Sequence, residues 1–290
     1  MNIRKLAPYA TDKRFEEVVV KTHVLHVDSR FRRYMKDPPN GFKYYFGDEF
    51  KNVVSVKISS IEIPNTFPNV SSSRKTNEFT VCYGGTDIDI SLETGNYTAQ
   101  QMIDTIQTKL DNTGIGDWDI SFNELNGKTS ITETNGVPHK LHFDHYGAFP
   151  KREADFGLGY TLGFRTKKTE SSSTHTSEAS INVYGDTYLF LAINDFDLVF
   201  TRTREKEKYY ALAKIIIDKT KQQIVFDNQN MITKRYVLPS PITISYITPK
   251  LLDPYGDLLD FGKENWSFTL EIETIENSHL YEAYKKQRFI

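Results

Sequence analysis

Residues 51–67 read KNVVSVKISSIEIPNTF, and this stretch decides the predicted fold. Within residues 54–58 every second residue is apolar, which is the period of a β-strand with one buried face. Within residues 61–63 the apolar positions have shifted by one. A regular strand would turn its core face outward at this shift, so the pair Ser59-Ser60 predicts a β-bulge or bend. Pro64 lacks an amide N–H and predicts the end of the strand.

The composition around this stretch also favours β structure. The 290 residues include 19 Phe and 17 Tyr but only 2 Trp, and 38% of the chain is hydrophobic. Aromatic and β-branched residues suit a pleated, half-buried surface, and this amount of apolar material is enough for a sizeable core. Turn signals separate roughly ten to twelve short predicted strands. The alternating run Trp266 to Glu273 is the clearest strand with one buried side.

One segment predicts a helix instead. Thr98 and Gln101 have the spacing of a capping box, and Gly114 or Gly116 supplies the stop. Between them runs an apolar stripe at helical spacing, formed by Met102, Ile103, Ile106 and Leu110. We interpret this stripe as cover for a core.

The predicted fold class is therefore mainly β, namely a jelly-roll β-sandwich with one amphipathic helix and an extended N-terminal arm. We expect one main domain with room for inserted β elements. Residues 1–49 are predicted as the arm and a connecting segment, residues 50–277 as the sandwich, and residues 278–290 as a basic C-terminal tail, part of which has a helical pattern. The Ser/Thr-rich residues 166–180 are predicted as a loop that becomes ordered by contact with a partner.

The charge of the chain argues against a general nucleic-acid binder. It carries 36 basic and 38 acidic residues, a net charge of −2. Residues 1–36 nevertheless hold nine Lys/Arg and four Asp/Glu, and the C-terminal end is also basic. Basic ends suit contact with an acidic protein surface, a membrane face or packaged DNA, and they equally suit plain solvation. No signal peptide or transmembrane segment is predicted.

Histidines and the single cysteine give weak signals for chemistry. His139, His142 and His145 invite a metal-site interpretation, but residues three apart on a strand point to opposite faces, so surface histidines are favoured. Cys82 rules out an intrachain disulfide, suits a reducing compartment and has no catalytic partner motif. The pair Gly157 and Gly159 lacks the third glycine of a dinucleotide loop.

Two charged features remain open. Asp253 and Asp257, with Asp260 nearby, could support acid–base chemistry or bind calcium, but Asp-Pro and Tyr-Gly are ordinary turn pairs and a structured turn is favoured. Two basic runs, Arg30/Arg32/Arg33 and Arg202/Arg204/Lys206/Lys208, are compatible with nucleic acid, and protein contacts or solvation are favoured for both. We predict no catalytic, cofactor-binding or metal-binding residues.

Several segments together resemble one protein family. The longest run is Phe50 to Phe67. The other segments, in chain order, are Val27 to Arg32, Leu92 to Thr98, Leu158 to Phe164, Phe226 to Asn228 and Trp266 to Ile272. This series is similar to capsid proteins of the nucleocytoplasmic large DNA viruses, in the minor-capsid or penton group rather than the major capsid protein.

This resemblance implies a jelly-roll core and a non-enzymatic, cofactor-free role in the icosahedral capsid of a large dsDNA virus. The chain would be either the penton at fivefold vertices or a minor capsid protein that cements the capsomers. The implied partners are the major capsid protein, other minor capsid proteins and further copies of the chain, as a pentamer in a penton. The basic arm would contact the inner membrane or acidic surfaces, with no specific nucleic acid. The implied location is the virion, assembled in the host cytoplasm.

Two hypotheses from other classes stay open at this point. The first is a β-sandwich recognition module on the virion that binds a receptor or glycan, with Tyr255 between Asp253 and Asp257 as its loop. The second is an enzyme that uses the same acidic turn.

Overall fold

The computed structural model of the chain describes residues 18–144, 157–202, 208–227, 235–260 and 262–288. In these residues it contains sixteen β-strands and three α-helices. The strands form several antiparallel sheets, so the prediction of a mainly β protein is confirmed.

The largest sheet is built around one long strand. Strand β2 (Tyr44–Pro64) pairs on one side with β16 (Ser267–Ile275), which in turn pairs with β1 (Val20–Asp28). On its other side β2 pairs with two strands in succession, β14 (Arg235–Ile247) along its first part and β13 (Ile224–Asp227) along its last. This single strand therefore organises the whole sheet.

A second sheet faces the first. Its strands are β12 (Ala213–Ile216), β9 (Tyr188–Ile193) and β15 (Pro249–Leu252), and a bridge between Gly41 and Lys250 adds a further short strand segment at the β15 edge. Strands β13 and β14 lie in succession along the same edge of β2, so together they fill one strand position and the sandwich has eight positions. One sheet holds the first, eighth, third and sixth positions in chain order, and the other holds the second, seventh, fourth and fifth. This order is the jelly roll, so the fold-class prediction is confirmed.

The jelly-roll core lies between these two sheets. Apolar residues at alternating positions of facing strands point inward, as expected for packed antiparallel sheets. The most deeply buried of them include Val56, Ile58, Ile61, Ile63, Leu189, Leu191, Ile215, Leu251, Phe268, Leu270 and Ile272.

Residues 68–187 form an insertion between β2 and β9. One of its sheets contains β3 (Glu78–Tyr83), flanked by β4 (Thr86–Ser91) and β7 (His139–His142). The other contains β6 (Lys128–Glu133) at its centre.

The insertion has its own hydrophobic core. Strands β5 (Trp118–Phe122) and β8 (Thr174–Ser180) flank β6, and helices α1 (Ala99–Asp111) and α2 (Gly157–Thr161) lie beside the sheets. The predicted capping box of α1 is present, and its four predicted stripe residues are all buried in this core. A smaller hairpin, β10 (Val199–Arg202) and β11 (Lys208–Ala211), connects β9 to β12.

The predicted bulge in β2 is confirmed. Thr269 lies opposite Ser60 and Leu270 lies opposite Ile58, so Ser59 is the extra residue in the ladder. Its hydroxyl donates a hydrogen bond to Oε1 of Glu271 at 2.5 Å. The extra residue lets the apolar positions on both sides of it face the same core.

The prediction of a loop over residues 166–180 is wrong for its second half. Residues 174–180 form β8, which pairs with β6, and His175 and Ser177 point into the insertion and are buried. These inward residues are small or polar and are satisfied by hydrogen bonds, including one from the amide of Thr129 to Ser177 Oγ. Burial therefore alternates along this segment as in any β-strand, but its inward residues are not the apolar ones that usually reveal a strand in a sequence.

The predicted arm and tail contain ordered elements. Residues 20–28 and 44–49 are strand residues of the jelly roll, because they pair with β16 and β14. Residues 1–17 lie outside the described part. The predicted tail contains helix α3 (Tyr281–Arg288), which packs on the outer face of the large sheet beside Val54 and Ile275.

A buried carboxylate anchors α3 to the sheet. Glu273 Oε2 accepts hydrogen bonds from Tyr284 Oη at 2.6 Å and from Ser55 Oγ at 2.7 Å, and it forms an ion pair with Arg235. Tyr281 Oη donates to the carbonyl of Leu238. Burial alone would raise the pKa of Glu273, but the bonds from Tyr284, Arg235 and Ser55 outweigh it and hold the pKa below its ordinary value.

Deleting Ser59 should disrupt the jelly roll, because loss of the bulge turns Ile61 and Ile63 out of the core. We expect a loss of at least about 3 kcal/mol in the free energy of unfolding, measured by urea titration. Ser59→Ala keeps the bulge and removes only the bond to Glu271, so it should cost about 1 kcal/mol or less. Equal stability of the deletion and the substitution would contradict the role of the bulge.

Tyr284→Phe should lower the free energy of unfolding by roughly 1.5–3 kcal/mol at neutral pH, because it removes a hydrogen bond to a buried carboxylate. Glu273 has a lowered folded-state pKa, so its contribution is present above the ordinary glutamate pKa and is lost as the pH falls through the folded value. The variant should therefore lose less stability on acidification than the parent. Tyr184→Phe, at a side chain that is 71% exposed, is the control and should change stability by less than about 0.5 kcal/mol.

Candidate functional site

A cluster of charged side chains lies where the insertion meets the jelly roll. We call Arg74, Asp186, Asp253 and Lys221 the junction cluster. Arg74, from the insertion, donates from Nη1 to Oδ2 of Asp186 at 3.0 Å, and its Nη2 lies 4.0 Å from Oδ2 of Asp253. Asp253 directly follows β15 of the jelly roll. One guanidinium therefore joins the two units electrostatically.

The predicted acidic turn supplies one member of this cluster. Asp253 is buried, and its Oδ1 accepts the amide N–H groups of Tyr255 at 2.8 Å and Asp257 at 3.1 Å. Asp260 accepts the amide of Gly262 in the same way. These are side-chain-to-backbone turn contacts, so the interpretation as a structured turn agrees with the geometry. The carboxylate of Asp253 faces the turn and Arg74.

Lys221, the fourth member of the junction cluster, binds the residues that directly follow β2. Its Nζ donates to the carbonyl of Phe67 at 2.9 Å and to Oδ1 of Asn65 at 3.3 Å, and it lies 4.1 Å from the centre of the Phe67 ring. Burial lowers the pKa of Lys221 to about 8, although Asp186 acts in the opposite direction. At neutral pH the group is mainly charged.

Two clefts border the junction. The larger, of about 600 Å³, lies between the start of α1, residues 183–187 and the turn 217–222. The smaller, of about 350 Å³, is lined by Arg74, Tyr160 and other polar groups of both units. The junction thus combines the ion pairs of Arg74 with open space on either side.

The three predicted histidines do not form one site. The expectation of a surface histidine is wrong for His139, which is buried between Trp118 and His175 with ring centroids at 4.8 Å and 4.6 Å. Burial, with a smaller effect of His175, lowers the pKa of His139 to about 4, so its ring is neutral at physiological pH. His142 lies at the other end of β7, beside Cys82, and His145 is outside the described residues. No three His, Cys, Asp or Glu side chains of the described ranges are placed to hold a metal ion.

The pairing of His139 with His175 was not predicted from the sequence, because His175 lies on β8. The alternation of residues 174–180 with a period of two could have indicated this strand and the inward position of His175. The imidazole of His175 contacts the carbonyl of His139 through Nε2 at 3.1 Å. Both rings fill the interior beside Trp118 and serve packing within the insertion.

Cys82 and the glycine pair also have structural surroundings. The thiol of Cys82 lies 3.5 Å from Nδ1 of His142, but burial and the nearby Asp87 raise the thiol pKa to about 11, so the sulfur stays protonated. At Gly159, a Cβ atom would come within 2.2 Å of the Phe143 ring. That glycine permits close packing of α2 against Phe143.

The two basic runs differ in what the structure shows. Arg30 is paired with Asp28, and Arg32 donates to the carbonyls of Ser29 and Asp37 at 2.6 Å and 2.8 Å. Arg33 is exposed. Residues 203–207 of the second run lie outside the described part of the chain.

Comparison with known proteins gives limited information. No protein-family model matches the sequence, and no curated protein matches it. A similar solved structure is the crystal structure of selenomethionine-labelled mavirus penton protein, at 12% identity and a TM-score of 0.45, covering 90% of this chain and 100% of that chain. This likeness is too weak to transfer a function. Within the described residues, no helix has both the length and the apolar character needed to span a membrane.

Arg74→Met should loosen the junction, because it removes the guanidinium that Asp186 and Asp253 share. We expect a loss of up to about 3 kcal/mol in unfolding free energy, together with faster amide hydrogen exchange in residues 183–187 and 251–258. Lys75→Met is the matched control. Its ion pair with Glu78 at 3.7 Å is partly exposed, so it should cost at most about 1 kcal/mol. Unchanged exchange at the junction in Arg74→Met would contradict this role of Arg74.

Proposed function

We propose that this chain is a non-enzymatic structural subunit in the icosahedral capsid of a large dsDNA virus, either at fivefold vertices or as a minor capsid protein between capsomers. One observation carries the proposal. Four segments of the family resemblance lie in adjoining strands of one sheet, although they are far apart in the sequence. They are the end of β1, most of β2, the end of β13 and the first part of β16.

The pairing of these segments in one sheet argues against a chance collection of short motifs. Strand motifs recur by chance along any β-rich chain, but chance matches have no reason to pair with one another. Here Phe268 lies opposite Ile61 in one ladder and Val27 in the next. The resembling segments therefore describe one continuous part of the jelly roll, which is the part that a shared fold would preserve.

The edges of this sheet offer surfaces for lateral contact. In the described residues β13 and β1 are terminal strands of the large sheet. On β13, Ile224 and Phe226 are 61% and 52% exposed, and on β1, Val24 is 70% exposed. Apolar side chains on an edge strand favour contact with another chain. A shell subunit uses such edges to meet its neighbours.

The internal bracing of the chain also fits a load-carrying subunit. Helix α3 is tied to the large sheet through Glu273, and the insertion is tied to the jelly roll through the junction cluster. The hypotheses of a recognition loop and of an enzyme both included Asp253 of the acidic turn among their functional residues. Asp253 is instead committed to turn amides and to Arg74.

Assembly of the purified full chain tests the proposal. We expect the vertex form to give closed rings of five copies in negative-stain electron microscopy and in mass photometry as the concentration rises. Ile224→Asp with Phe226→Asp should abolish the rings, because charges on an edge strand prevent strand-to-strand contact. Leu125→Asp, at a side chain that is 97% exposed in the insertion, should leave them intact.

The minor-capsid form predicts a different result. The chain would remain small alone and would appear as density between capsomers in a cryo-electron microscopy map of virions that contain it. A chain that neither forms rings nor occupies the ordered shell would contradict the proposed function.

A further inference from the structure

A surface of stacked cations and tyrosines lies at one end of the jelly roll. It comprises Arg33, Tyr34, Lys36, Lys43, Tyr45 and Tyr246, which we call the basic–tyrosine patch. The residues come from three places: the turn after β1, the start of β2 and the end of β14. Tyr45 and Tyr246 are cross-strand partners in the ladder between β2 and β14, so the sheet itself brings the patch together.

Each cation of the patch lies over a tyrosine ring. The guanidinium of Arg33 is 5.4 Å from the ring centre of Tyr34 and 5.1 Å from that of Tyr45. Lys43 Nζ is 3.5 Å from the ring centre of Tyr246 and 5.0 Å from that of Tyr45. Such stacking restricts long side chains that would otherwise move freely. The positive charges are therefore held at defined positions.

These cations lack an acidic partner within the described part of the chain. The ion pairs found there involve other basic residues, such as Arg30 with Asp28 and Lys57 with Glu271. The patch is also open to solvent. Tyr34 is 49% exposed, Tyr45 41% and Tyr246 39%, and Met35 beside them is 69% exposed. An anionic group from outside could reach all three cations.

The composition of the patch favours a protein partner over nucleic acid. Tyrosine, methionine and arginine are the residues enriched at protein interfaces. Single-stranded nucleic acid binds by stacking bases on free aromatic faces, whereas here the protein's own cations lie over these rings.

We propose that the basic–tyrosine patch is a docking surface for a short acidic segment of a partner protein. Carboxylates of that segment would pair with Arg33, Lys36 and Lys43, and the tyrosine rings and Met35 would contact its aliphatic atoms. The assignment does not depend on the proposed capsid role, because it rests on the geometry and charge of this surface alone.

Fluorescence anisotropy of a labelled octaglutamate peptide with the full chain tests this assignment. We expect salt-sensitive binding by the parent protein, weakened about tenfold or more by Arg33→Gln with Lys43→Gln. Lys140→Gln with Lys168→Gln removes the same charge from two exposed positions of the insertion and should leave the affinity within about twofold of the parent. Tyr45→Leu keeps every charge but removes a stacking face, and it should weaken binding by a smaller factor.

A labelled oligothymidine of matched charge distinguishes the other class of partner. We expect it to bind more weakly than the peptide and to respond equally to the two double substitutions. Three results would overturn the proposal: no peptide binding at low salt, equal loss in the patch and control variants, or tighter oligothymidine binding that the patch variant alone abolishes. Circular dichroism of each variant establishes that the fold is retained, and Tyr45→Leu provides a second readout that involves no change of charge.

Discussion

The extra residue at Ser59 is the constraint on which the rest of the structure depends. Strand β2 must face one core along its whole length while pairing with β16 on one edge and with β14 and β13 on the other. A regular strand with this sequence could bury only one of its two apolar runs. The bulge removes that conflict, and the jelly-roll order of both sheets is then built around a single continuous strand.

A long insertion is compatible with this arrangement because it begins where β2 ends. Pro64 closes the ladder, and the chain leaves the sandwich at Phe67 and returns at Tyr188. The insertion folds around its own core, so the jelly roll does not depend on it for burial. What remains to be fixed is the orientation of the two units, and the ion pair between Arg74 of the insertion and Asp253 of the jelly roll supplies a contact for that purpose.

The sequence predicted correctly those elements that have a local pattern of their own, such as an apolar periodicity or a capping motif. The phase shift at Ser59-Ser60 and the capping box at Thr98 are of this kind. Strand β8 was missed because its inward residues, His175 and Ser177, are polar and rely on partners from β6 and β7. The junction cluster was also beyond prediction. Asp253 reads as turn chemistry, and only the tertiary fold places Arg74 beside it.

Three neighbouring arginines differ in whether they make contacts within the fold. Arg30, Arg32 and Arg33 are close in the sequence and equally basic. Arg30 is paired with Asp28, and Arg32 donates to backbone carbonyls, so both side chains stabilise the turn after β1. Arg33 alone is left facing outward over two tyrosines. Arg33 is thus exposed, has no carboxylate partner among the described residues and is held in position by two tyrosine rings, which is the geometry on which the proposed docking surface rests.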